Sequence, residues 1–130
     1  MRKAYSFLSQ IDFHSEADKL IAMDLFSVMQ TTIAAASKSP HPTNKIAATI
    51  FGTGPDDTEF LKTHTNYWPT ILAHHIGRTK KIGNSSGTIH AETAAILSAP
   101  LTQDASICIS DPFCPNCAKN MAEAGIKHIY

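Results

Sequence analysis

From His90 to Tyr130 the chain alternates helix, strand, helix and strand, and that order leaves few folds open. The run His90-Ala91-Glu92-Thr93-Ala94-Ala95-Ile96-Leu97 consists almost entirely of good helix formers and stops before Pro100. Ala105-Ser106-Ile107-Cys108-Ile109-Ser110 alternates as a strand, and Asp111-Pro112 turns the chain. Cys114 to Ala124 predicts a second helix, closed by Gly125, and Ile126 to Tyr130 begins another strand. Strands joined through a helix pair in parallel and need helices to cover their faces, so this half demands an α/β layer structure.

The first half supplies the remaining layers. Ser15, with Asp18 three residues on, makes an N-cap signature, and Ala17, Leu20, Ile21, Leu25, Val28, Met29 and Ile33 follow at helical spacing. A long helix is expected from about Glu16 to Ala36, halted by Pro40 and Pro42. Lys45 to Phe51 reads as a buried strand, Gly52 to Asp57 as a turn, and Glu59 to Thr65 as the second arm of a hairpin. Asn66 to Gly87 is loop-rich, interrupted by Thr70 to Ile76, and such segments often carry function. Nothing repeats, and 130 residues of which 43% are hydrophobic suit one domain spanning 1–130.

Charge narrows the partners. Eleven Lys+Arg balance eleven Asp+Glu, so no global field is available to hold a long polyanion or a membrane surface. No apolar stretch approaches the ~20 residues of a spanning helix, and Ser9, Gln10 and Asp12 interrupt the run a signal peptide would need. The expected location is the cytoplasm, with a small molecule as partner and neither membrane nor nucleic acid.

Three cysteines make a poor disulfide framework, while seven histidines are many for this length, which turns attention to metal. His90-Ala91-Glu92 opens one predicted helix and Cys114-Pro115-Asn116-Cys117 opens the other. Cysteines three apart in a first turn share a side, and the positive end of the helix dipole favours thiolates. His90, Cys114 and Cys117 together make a soft trigonal set, suited to zinc or iron and wrong for magnesium or calcium. Three ligands leave the fourth tetrahedral position for water, whose pKa zinc lowers toward ~7. Glu92, on the same helical turn as His90, is spaced to take the water proton.

H-x-E combined with P-C-x-x-C is the signature of zinc nucleobase deaminases, and from about Lys45 onward the chain resembles the cytidine and deoxycytidylate deaminase family. Cys117-Ala118-Lys119 and Ala124-Gly125-Ile126-Lys127 look like the deoxycytidylate branch. The resemblance implies zinc on His90, Cys114 and Cys117, and hydrolytic deamination of a nucleobase, nucleoside or nucleotide, a cytosine derivative such as (deoxy)cytidylate foremost, by zinc hydroxide with Glu92 as proton shuttle. It also implies an α/β/α sandwich whose mixed sheet has an N-terminal hairpin and later parallel strands. The two motif helices would meet at the carboxyl ends of central strands.

Substrate contacts carried over from the family are Asn66, in Asn66-Tyr67-Trp68-Pro69, the backbone amide of Ala91 and the backbone carbonyl of Ser110. The family usually has proline immediately before the first cysteine. Here Phe113 stands there and Pro112 one place earlier, so Phe113 is a candidate to stack on the base. Arg78, Lys80 and Lys81 form the one dense basic cluster, with phosphate binding or a solvated loop as its alternatives; His74 and His75 are a further pair without an assigned role. His14, His41, His64 and His128 show no ligand spacing.

Two other readings stand beside this one. The first is deamination of a purine, guanine or the adenosine of a tRNA; the second is a zinc module without catalysis. Family members usually continue through another helix and a fifth strand. Either this chain lacks them, or its last strand is an edge that a partner covers, and a homo-oligomer is expected.

Overall fold

The computed structural model describes residues 16–76 and 87–130. Helix α1 (Glu16–Ala36) leads into a hairpin of β1 (Ala47–Thr53) and β2 (Glu59–Thr65), followed by the short α2 (Thr70–Ile76). Then come α3 (Ala91–Ser98), β3 (Ser106–Ile109), α4 (Pro115–Glu123) and β4 (His128–Ile129). Ser15, expected as the cap of α1, His14 and the Arg78, Lys80 and Lys81 cluster lie outside the described residues.

The sheet has the order β2-β1-β3-β4. Strand β1 runs antiparallel to both β2 and β3, whereas β3 and β4 are parallel. This is the expected mixed sheet, hairpin first and parallel pair last. One expectation needs correction: because β1 opposes β3, the sheet presents the carboxyl end of β3 beside the amino end of β1, with Ala48 opposite Ile109. Helical crossovers dictate the direction of β4 relative to β3 but say nothing of how that pair meets the hairpin.

Period-two alternation sorts the strand side chains into two layers. Ala48, Ile50 and Ile107 are fully buried together with Ala91 and Ala95 of α3 and Met121 of α4. Their neighbours point the other way: Cys108 packs with Leu25 and Val28 of α1, against Phe51. Helices therefore cover both faces. A file of buried hydroxyls pins α1 to the hairpin. Thr32 donates to the Val28 carbonyl at 2.7 Å, so it accepts from Thr49 at 2.6 Å, and Thr49 in turn accepts from Thr63 at 2.8 Å. Sliding α1 by one position would strand these hydroxyls in the interior.

Helix α4 ends as its sequence requires. Gly125 adopts φ 83°, a left-handed conformation, and a Cβ there would collide with Gln103. The chain then passes into β4, where the Tyr130 amide donates to the Ile107 carbonyl at 2.9 Å. Among the described residues, no helix is long and apolar enough to cross a membrane.

Candidate metal centre and cleft

Helices α3 and α4 start at the same end of the sheet, and their first turns carry the two motifs. His90 is the N-cap of α3 and Cys114 the N-cap of α4, where the Cys117 amide donates to the Cys114 sulfur at 3.4 Å. Pro115 occupies the first helical position, its fixed φ suited to starting a helix and its missing N–H no loss there. His90 directs Nδ1 at both sulfurs, 3.2 Å from Cys117 and 3.6 Å from Cys114. One ligand atom from each of the three residues lies within 4.8 Å of the others. A soft N,S,S set of this kind can hold a zinc-like ion.

The Cys117 thiol departs from the expectation drawn from the helix dipole. Burial pushes the Cys117 thiol well above the ordinary cysteine range, with further upward contributions from its hydrogen bond to Cys114 and from the Glu92 carboxylate. Cys117 is 2% exposed, and desolvation of a thiolate at that depth outweighs the partial charge of one helix end. A metal must therefore displace a proton from this sulfur.

Glu92 lies on the first turn of α3 and is 4% exposed. Its Oε1 is buried and has no hydrogen-bond partner among the described residues. An unpaired carboxylate oxygen in the interior is costly, on the order of 1–3 kcal/mol. Beside three side chains that could hold a metal, such an acceptor fits a cation with its water, so the residues present match the group the motifs imply.

Glu92, His90 and Cys114 line a cleft of about 230 Å³, together with Asn44, Ile46, Asn66, Thr88, Asp111 and Pro112. That is below the ~300–1,000 Å³ of pockets for drug-sized ligands and on the scale of one heterocycle. Asn66 is 2% exposed and already engaged. Its Oδ1 accepts from the Ser39 hydroxyl and from the Ile46 amide at 3.2 Å, and its Nδ2 donates to the Asn44 carbonyl at 2.8 Å. An amide nitrogen has two hydrogens, so Asn66 has one left to offer the cleft.

The other expected contact groups are the Ala91 amide, the Ser110 carbonyl and the Phe113 ring. Ala91 is 1% exposed in the core, Ser110 holds the Ala47 amide on its hydroxyl at 2.9 Å, and Phe113 is 42% exposed. None of the three is among the described residues lining the cleft. Pro112 supplies part of the wall. Asn44, Thr88 and Asp111 lie in connecting segments with no periodicity to reveal their direction, and Ile46, expected inside the first strand, stands just before β1.

No family model and no curated protein sequence matches the chain. Solved structures do. The dCMP deaminase of cyanophage S-TIM5 in apo form is similar at TM-score 0.60 and 20% identity, over 81% of this chain and 79% of that one. The same enzyme in complex with dCMP and dUMP is similar at 0.60 and 19% identity, covering 83% of each chain. A cytidine deaminase from Mycobacterium tuberculosis follows at 0.50 and 16%, over 82% of this chain and 84% of that one. The chain therefore has the cytidine-deaminase-like α/β/α fold, as expected from its motifs.

Proposed function

We propose that the chain is a zinc-dependent hydrolytic deaminase of the cytidine and deoxycytidylate deaminase family, acting on a cytosine base, nucleoside or nucleotide. The observation that carries this reading is the buried, unpartnered Oε1 of Glu92 beside His90, Cys114 and Cys117. His90 Nδ1 and the two sulfurs would hold the metal. When bound, zinc would supply a water whose pKa falls toward ~7 and would polarise what it touches.

The chain's own residues do the rest. Glu92 accepts a proton from the attacking water at Oε1 and delivers it to the ring nitrogen beside the amidine carbon. Protonation of that nitrogen makes the carbon more electrophilic, and the water oxygen bonds to it as the C=N π electrons move to the nitrogen. A second proton passes through Glu92 to the exocyclic amine, which leaves as ammonia while the carbonyl forms, so water and amidine give amide and ammonia. The free Nδ2 hydrogen of Asn66 is available to a polar group of the substrate, and Ile46 and Pro112 offer apolar surface to a ring. The cleft, of about 230 Å³, is on the scale of one heterocycle.

The test is ammonia release by the zinc-loaded full chain from a panel of cytosine, adenine and guanine compounds, each as base, nucleoside and nucleotide. Turnover of a cytosine compound supports the reading. Turnover of purines alone would move the assignment to a purine deaminase, and a silent panel would end the small-molecule proposal. Sedimentation of the same preparation tests the expected homo-oligomer, for which a monomer would be the contrary result.

A further inference from the structure

The segment between α1 and β1 holds a histidine that the metal does not use. His41 is 0% exposed. Its Nδ1 accepts from two backbone amides of its own loop, Thr43 at 3.2 Å and Asn44 at 2.8 Å. An acceptor of two N–H groups carries no hydrogen, which puts the ring proton on Nε2. The ring stacks on Trp68 with centroids 5.4 Å apart and planes 18° from parallel.

One end of this arrangement reaches the cleft, and the other joins the segment that follows Asn66. Asn44, whose amide His41 holds, lines the cleft and gives its carbonyl to Asn66 Nδ2 at 2.8 Å. Trp68, on which the ring rests, lies two residues beyond Asn66. Ser39 closes the loop from the other side, with its hydroxyl on Asn66 Oδ1 and its carbonyl held by the Lys45 ammonium at 2.6 Å. His41 thus acts as an asparagine would in an Asx turn, bonding backbone amides two and three residues on, while its ring ties that turn to the segment that follows β2.

We propose that His41 is a positioning residue for the substrate, which uses a hydrogen-free Nδ1 to set the Asn44 carbonyl and, through it, the remaining Nδ2 hydrogen of Asn66 that faces the cleft. The proposal rests on reading the cleft as the substrate site. It assigns the histidine an effect on binding and none on the metal, because no link in the chain of contacts runs through His90, Cys114 or Cys117.

Two substitutions separate the acceptor from the ring. His41→Phe keeps the stack on Trp68 and most of the volume but removes Nδ1. His41→Asn gives up the stack and keeps an acceptor atom at the same bond distance from the backbone. In the zinc-loaded full chain, His41→Phe is expected to raise KM about tenfold, the effect of losing one to two net hydrogen bonds, with kcat and zinc content near the parent's. His41→Asn is expected to bring KM back to within about threefold. A parental KM in His41→Phe would overturn the proposal, as would an Asn variant at least as impaired as Phe, or a loss confined to kcat and zinc.

An inactive parent would refute the deaminase reading and leave this one measurable by nitrogen-15 NMR. The expected spectrum has an unprotonated His41 Nδ1, and an Asn66 side-chain amide whose exchange is slow in the parent and in His41→Asn but at least tenfold faster in His41→Phe. A proton on Nδ1, or Asn66 exchange unaffected by the phenylalanine, would overturn it; the first of these needs no variant to fold.

Discussion

Replacing Glu92 by glutamine should make the metal-free protein more stable while removing its turnover. The carboxylate is 4% exposed with an unpartnered Oε1, a deficit on the order of 1–3 kcal/mol that is larger for a charged oxygen than for an amide. Glutamine keeps the shape and dismisses the charge, recovering roughly 1–2 kcal/mol of that deficit. Against this stands the loss of a carboxylate on the first turn of α3, where the helix dipole favours it by about 0.3–1 kcal/mol. The net gain is about 1 kcal/mol, which for a chain of this length raises Tm by about 4 °C.

The charge of Glu92 also contributes to holding the proton on Cys117. Loss of the proton shuttle lowers kcat by about 10²–10⁴. The assays are thermal melting in chelator, zinc content by atomic absorption, and ammonia release. A variant that melts lower than the parent in chelator would refute the burial argument, and one that stays fully active would refute the role of Glu92.

Cys117→Ala removes a ligand and should leave less than one tenth of the parent's zinc after dialysis, read by metal analysis; full zinc retention would exclude Cys117 as a ligand. Burial raises the Cys108 thiol from 9.0 to about 11, so the folded state holds a proton that the unfolded state has released. Stability from this source is complete below about pH 9 and is lost as pH rises toward 11. Denaturant titrations at both ends of that window should show a smaller decline in Cys108→Ala than in the parent, and equal declines would contradict the assignment. Gly125→Ala forces an alanine to φ 83° against Gln103, including its Cα at 3.2 Å, and should lower stability by about 1 kcal/mol or more in the same titration.

The fold was legible where periodicity is local and stops are strong. Helix α1 ends at Ala36, before Pro40, and β2 occupies Glu59–Thr65, the hairpin arm expected after the Gly52 to Asp57 turn. The metal-site residues were legible because motif spacing encodes helical first turns, even though His90 and Cys117 meet across 27 residues of sequence. What stayed hidden is long-range or environmental. The antiparallel meeting of β1 with β3 depends on packing of the hairpin, and the protonated state of Cys117 depends on its depth. The turn from Ser39 to Asn44 hides best of all: His41 has no ligand spacing, and its role arises from Trp68 and Asn66, both brought to it by the hairpin.

The most direct measurement is a crystal structure of the zinc-loaded chain grown with a cytosine derivative hydrated at the amidine carbon. The account predicts one zinc on His90, Cys114 and Cys117, the hydrated carbon beside it, and Glu92 Oε1 within about 3 Å of the ring nitrogen. A fourth protein side chain on the zinc, with the cleft between Asn66 and Pro112 closed to the ring, would mean that the site is built to hold metal and not to deaminate.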